Sequence, residues 1–250
     1  DNPWVRRAAV AALAAAPALY RERAVSTVLP CLADASPAVR TGALEALARL
    51  APDGREPATV STIIERVASE TDTTVREVLV AALVKISARG TKAAVEALVD
   101  ACSDNFSCWV RLEAVRGLGL LAMGGSEVLA ATLEKAAADE SWQVREATAI
   151  AIGRVAWGQQ AVVARHVLEA LRGDPSPRVA SSARAALEAL EAATDEVAAK
   201  EAEEVKETSL LPGAGPDGPG QKQLERKIGY LVGTVATAAL VAALISLRRR

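Results

Sequence analysis

The chain has 250 residues, of which 51% are hydrophobic and 24% charged, with a formal net charge of −2. Residues 1–193 hold 21 Lys and Arg against 23 Asp and Glu, which argues against the clustered basic surface that a nucleic-acid groove needs for counterion release. One histidine, three cysteines and 3% aromatic residues leave little material for a metal centre or an aromatic-lined catalytic groove.

Six copies of a short turn pattern organise residues 1–193. They begin at Asp1, Asp34, Glu70, Asp104, Asp139 and Asp174, and each leads to a valine, at positions 5, 39, 75, 110, 144 and 179. The steps between valines are 34, 36, 35, 34 and 35 residues. Such a period marks a solenoid, in which each unit buries its apolar face against its neighbours. Counting from the valine, offsets 4, 7, 8 and 11 are Ala43, Ala46, Leu47 and Leu50 in one copy and Leu79, Ala82, Leu83 and Ile86 in the next. These offsets share one face at 100° per residue, so each valine opens an amphipathic helix. Offset 7 is small in every copy (Ala12, Ala46, Ala82, Gly117, Ala151, Ala186), which lets a neighbouring helix approach closely. A second helix is predicted before each turn, over 24–33, 59–68, 93–102, 128–138 and 161–172. Asp34, Ser36, Asp139 and Ser141 are placed to cap the helices that follow, and Pro37 and Pro177 suit a first helical turn. The first unit starts inside its own turn, and further repeats are expected upstream of it.

After residue 193 the pattern fades. Segment 195–207 holds six acids and two lysines and reads as a solvated helix extension passing into a linker. Residues 194–227 are therefore taken as an acidic and then Pro/Gly-rich tether. Residues 228–247 contain no charge. As a helix they span about 30 Å, the thickness of bilayer hydrocarbon, so a single transmembrane helix is expected. Arg226 and Lys227 flank one end and the basic tail 248–250 the other. Gly229, Gly233 and Thr237 form a row of small residues that permits a homodimer through the membrane helix.

The turn Asp-x-x-Pro-x-Val-Arg at 34–40 and the Ala-x-x-Ala-Leu helix at 43–47 resemble HEAT repeats, in particular the short bacterial units described as phycobilisome-lyase-like. The resemblance covers residues 1–193. It implies an all-α, right-handed α-solenoid of about six HEAT helix pairs, followed here by the C-terminal transmembrane helix. It also implies a ladder in which turn acids and arginines bond along the stack. The matching positions are Asp34, Arg40, Arg76, Asp104, Arg111, Asp139 and Arg145, together with Arg6. Ala180 departs from the pattern in the last copy, as expected of a capping unit.

Enzymes of HEAT fold such as deoxyhypusine hydroxylases hold iron with several His-Glu pairs, whereas His166 stands alone and in no such pair. No Gly-x-Ser-x-Gly and no glycine-rich phosphate loop before a helix is present. No catalytic residue, metal or cofactor is therefore expected. Two features point to protein partners instead. Trp4 and Trp109 directly precede the repeat valine and Trp142 lies two before it. These rings either form a ridge of partner anchors or pack over the next turn and close the end of the core. On the valine-led helices, offsets 6 and 9 face away from the apolar stripe, yet carry Ala48, Ala81, Val84 and Ile150, with Arg116 as a charged exception. That face either suits a partner's amphipathic helix or is already half-buried by tight curvature of the superhelix.

The expected function is a membrane-tethered scaffold for protein partners, without catalytic activity. The short remainder after the span looks like a tail anchor, which would leave the array in the cytoplasm. Cys31, Cys102 and Cys108, an odd set with no zinc spacing, mildly favour a reducing compartment. The alternatives are a lyase-like accessory subunit or enzyme with its site in upstream repeats, and a surface-exposed binding module. The second arises because residues 211–215, the span and the Arg-rich end are similar to a Gram-positive sorting signal, with Ala214 in place of the expected threonine. The Ala- and Arg-rich composition suggests a bacterial source.

Overall fold

A computed structural model describes residues 2–52, 56–104 and 107–209. The predicted membrane span at 228–247, with Gly229, Gly233 and Thr237, lies outside the described residues, as does the tail 248–250. No helix among the described residues is long and apolar enough to cross a membrane.

Eleven α-helices and no strand occur among the described residues. The valine-led helices are α1 (Pro3–Leu13), α3 (Pro37–Leu50), α5 (Thr73–Ile86), α7 (Cys108–Leu121), α9 (Trp142–Ile152) and α11 (Pro177–Ser209). Between them come α2 (Arg21–Val28), α4 (Pro57–Ser69), α6 (Lys92–Ala101), α8 (Glu127–Ala137) and α10 (Ala161–Arg172). The helix expected over 24–33 is divided, since α2 stops at Val28 and a 3-10 turn covers Leu29–Ala33. Pro30 accounts for this: it has no N–H to donate and its ring crowds a continuing α-helix. At the other end, α11 runs unbroken to Ser209, so the predicted domain boundary at 194 falls inside a helix. The run of Ala, Glu and Lys in 195–207 has the high helix propensity that sustains it.

Two layers result. Each valine-led helix packs on the next one in the chain, and each alternate helix packs on the valine-led helix of its own unit. Val39, Val75, Val110, Val144 and Val179 are all at most 2% exposed, whereas Val5 in α1 is 65% exposed. Leu47, Leu83 and Leu118 at offset 8 have no exposed surface, and burial of this kind stabilises by roughly 1.5–3 kcal/mol per side chain. Small residues set the spacing in this layer. A Cβ on Gly119 would lie 2.8 Å from the Cα of Ala151, and one on Gly153 would lie 3.0 Å from the Cβ of Ala186. Gly117 likewise faces Val84. Offset 9 of one helix therefore meets offset 7 of the next. The alternate helices leave clefts of about 540 Å³ between α4 and α6 and about 830 Å³ between α6 and α8. A stack that is closer on one side than the other bends toward the close side, which puts the valine-led helices on the inner face.

Guanidinium–carboxylate pairs run along one edge of the stack. Arg6 donates to both carboxylate oxygens of Asp34 at 2.7 Å, and Arg40 to both of Glu70 at 2.8 Å. Arg76 pairs with Asp104. Arg111 donates to Asp139 at 2.6 and 2.9 Å, and Arg145 to Asp174 at 2.7 and 3.1 Å. The third nitrogen of Arg40, Arg111 and Arg145 donates to a carbonyl of its own turn, at Asp34, Asp104 and Asp139. Each such arginine thus ties one turn to the next through planar, two-pronged geometry that a lysine cannot reproduce. Glu70 and Asp174 serve as acceptors beside the acids picked out by the motif.

The capping expectation needs correction at Asp34, Ser36, Asp139 and Ser141. Ser36 and Ser141 occupy N-cap positions without a side-chain capping bond. The aspartates close the turn instead, accepting from the backbone N–H of Ser36 and Ser141 at 2.8 Å. Asp72, Ser107 and Ser126 do cap their helices, at 3.1, 3.1 and 3.2 Å.

A backbone latch holds the opposite edge. The N–H of Gly90 donates to Leu121 at 2.7 Å, and that of Gly125 to Ala156 at 2.8 Å. Both glycines lie at offset 15. Gly90 has φ +85°, a conformation that favours glycine. A Cβ on Gly125 would collide with the Trp157 ring, which is buried and donates to the Ile152 carbonyl at 2.7 Å.

Four carboxylates of the edge pairs, Asp34, Glu70, Asp139 and Asp174, titrate low. The hydrogen bond from Arg6, with that from the Ser36 N–H, holds Asp34 at about 2. Arg145 lowers Asp174 in the same way. For Glu70 and Asp139 burial pushes upward, but the guanidiniums of Arg40 and Arg111 more than reverse it. Groups depressed in the fold contribute stability that is complete above the ordinary carboxylate range near pH 4 and is lost as pH falls through their folded values. The melting temperature is therefore expected to drop between about pH 4 and about pH 2, measured by circular dichroism across that range. Arg111→Ala should cost about 1–3 kcal/mol at neutral pH and make this acid dependence shallower, because Asp139 loses the partner that depresses it. Leu83→Asp should cost at least about 4 kcal/mol, since it places a carboxylate where no water reaches. An unchanged melting curve for Leu83→Asp would refute the packing scheme.

Candidate interaction surfaces

The three turn tryptophans part company in the structure. Trp4 is 69% and Trp109 52% exposed, so neither ring closes the core end. Trp142 is half-buried against the core, and the Arg178 guanidinium of the next turn stands 5.4 Å from its ring centroid. This is cation–π distance, and it takes up one ring face. Trp157, which sequence reasoning left aside, is the buried one.

The face expected at offsets 6 and 9 divides as well. Ala48 and Val84, at offset 9, are packed against the core and belong to the helix–helix interface. They leave the candidate surface, because offset 9 points at the adjacent helix rather than away from it. Offset 6 stays accessible: Ala81 is half-buried, Ile150 is 40% exposed and Arg116 is exposed. Offset 10 adds a row that the sequence reasoning did not consider. It holds Arg49, Lys85 and Leu120 on α3, α5 and α7, and Arg154 in the turn two residues past the end of α9, all exposed. The available signal was Leu120, a leucine in a row of cations. Between α7 and α9 these two rows enclose a cleft of about 290 Å³, lined by Arg116, Leu120, Gln143, Glu146, Ile150 and Arg154. Arg116 and Leu120 stand one turn apart on α7, with Ile150 and Arg154 one turn apart opposite. Two apolar side chains thus lie between two guanidiniums, and Arg116 is shared with Glu113 at 2.8 Å.

The two larger clefts lie on the other layer. The α4–α6 cleft includes Arg76 and Asp104 among its lining residues, and the α6–α8 cleft includes Arg111 and Asp139. Cys102 lines the latter, but burial and the nearby Asp139 push its thiol up to about 12, which leaves it a poor nucleophile. Burial and Asp34 raise Cys31 as well. All three cysteines are unpaired. His166 is exposed, and no group of three or more His, Cys, Asp or Glu able to hold a metal occurs among the described residues.

Solved structures share this architecture. An engineered protein is 24% identical with a TM-score of 0.57, covering 76% of this chain and 90% of its own. A designed armadillo repeat protein in complex with the peptide (KR)4 is 22% identical at 0.57, covering 74% and 91%. The complex of CpcE and CpcF of phycocyanin lyase from Nostoc sp. PCC7120 is 20% identical at 0.52, covering 82% and 76%. At these identities the likeness concerns the fold. No curated protein matches the chain. The model for HEAT repeats matches residues 1–84 and 87–188. With its stacked helix pairs and repeat-scaffold architecture suited to protein interaction, the chain belongs to the HEAT-repeat family.

Proposed function

We propose that this protein is a membrane-tethered interaction scaffold that binds protein partners on its inner face and has no catalytic activity of its own. The observation that carries the reading is the inner surface between α7 and α9, where Leu120 and Ile150 are exposed between Arg116 and Arg154. Apolar side chains held open between charges on rigid helices are the makings of a partner site. The designed armadillo neighbour holds a peptide, and CpcE and CpcF are held together, so arrays of this shape can serve as docking surfaces.

The tether rests on the uncharged segment 228–247 and the Gly/Pro-rich stretch before it. α11 adds a helix of 33 residues, about 50 Å long, that leads toward that stretch. Anchoring confines the array near the membrane and raises its effective concentration for partners there. The proposal takes the array to face the cytoplasm, a reading that three unpaired thiols support. A homodimer through Gly229, Gly233 and Thr237 is part of the same proposal.

Protease protection of an epitope in the array, in sealed membranes, tests the arrangement. The epitope should resist digestion until the membrane is breached. Deleting 228–250 should release a folded, soluble array. Continued sedimentation with membranes after that deletion would sink the tether, and digestion from outside would place the array on the other face.

A further inference from the structure

We infer that the offset-10 row of the inner face reads an extended, acidic partner segment with one apolar side chain seated in the α7–α9 cleft. The inference rests on the scaffold reading and names the chemistry of its partner.

Arg49, Lys85 and Arg154 make no ion pair among the described residues, and all three are exposed. Arg49 and Lys85 share one offset on α3 and α5, Leu120 holds it on α7, and Arg154 continues the register two residues past the end of α9, so the row follows the stack with Leu120 between Lys85 and Arg154. The sign of the complement is therefore negative, except at one position. The cleft at that position, about 290 Å³, sits at the lower limit for a free small-molecule ligand, about 300 Å³. One large side chain fits it better.

The spacing selects the conformation. Packed helices stand about 8–10 Å apart. A polyproline-type segment has three residues per turn and a rise of about 3.1 Å, so it presents one side chain to the row about every 9 Å. An acidic helix is about 10 Å across and would also cover the inner row at offset 6, bringing its flank against Glu113 and Glu146. Those acids oppose it. A narrow extended segment tracks the cationic row with carboxylates at every third residue, and reaches the offset-6 row only where an uncharged, leucine-like residue faces Leu120 and Ile150.

The test is fluorescence anisotropy of the full chain in non-ionic detergent with labelled synthetic peptides. The first carries glutamates three residues apart on both sides of a central leucine. The second replaces the glutamates by lysines, and the third spaces them four apart. The first should bind best and weaken as salt rises. Arg154→Glu and Leu120→Gln, both at exposed positions, should each weaken it about tenfold with an unchanged melting curve. Equal binding of the lysine peptide, affinity indifferent to both substitutions, or no binding of the first peptide would overturn the inference. So would concentration-dependent dimerisation that Arg154→Glu abolishes, because the row would then belong to the acidic 191–207 segment of a second copy. Proximity labelling keeps the two readings apart. If the doubly substituted chain recovers the same partners as the natural one, this row is wrong while the scaffold stands.

Discussion

Leu47, Leu83 and Leu118 have no exposed surface, and each lies on a helix that packs against the valine-led helices on both sides as well as its own partner. A pair of helices of 10 to 14 residues cannot enclose an apolar face, so every unit is completed by the ones beside it. The small residue at offset 7 follows from that constraint. It lets the preceding helix come close, and Gly119 against Ala151 shows how little room is left. Val5 shows the converse, since the same residue type in the same register is 65% exposed where no described helix pair lies over it.

Apolar packing between near-identical helices is weakly selective about register, and the polar edges supply what it lacks. The arginine pairs act at the turn that opens each valine-led helix, and the Gly90 and Gly125 latches act beyond the far end. Sliding one unit against the next would break both at once. The pairs are partly shielded from solvent, with Arg111 and Asp139 side chains 12% and 10% exposed. Each carboxylate also accepts a turn N–H, so little desolvation goes uncompensated. Their contribution is thus better understood as alignment than as bulk stability.

The repeat register was legible in the sequence because burial imposes it directly: valine, offset 7 and offset 8 must be apolar or small in every copy. The arginine pairs were legible through resemblance, since charge alone does not say whether an arginine bonds within its turn or to the next. The offset-9 face could not be decided between an open groove and a packed surface, for a physical reason. A helical projection shows which residues avoid the core stripe, but not the direction from which a neighbouring helix of the same layer arrives. Ala48 and Val84 are small or apolar because of that neighbour. The offset-15 glycines left a trace, as Gly54, Gly90 and Gly125 share the position, although Gly54 lies outside the described residues. Only the fold shows that this position places a backbone donor against the next loop. Trp109 and Trp157 make the same point, since hydrophobicity ranks the two rings equally and only their place at a helix start or under a glycine loop decides burial.

The division of labour among offsets bears on function. Offsets 4, 5, 7, 8, 9 and 11 are committed to packing, and the turn to alignment, whereas offsets 6 and 10 hold the exposed residues of the α7–α9 cleft. Those positions vary among copies: offset 6 runs Glu45, Ala81, Arg116, Ile150, and offset 10 runs Arg49, Lys85, Leu120, Arg154. Residues that need not be apolar for packing, and yet are apolar at two adjoining places, require another reason. A bound side chain supplies one, because it would shield Leu120 and Ile150 from water while leaving the flanking guanidiniums to read the charge on either side. The rigidity that comes from close packing then becomes part of recognition, since it holds the cations at fixed intervals that a partner segment has to match.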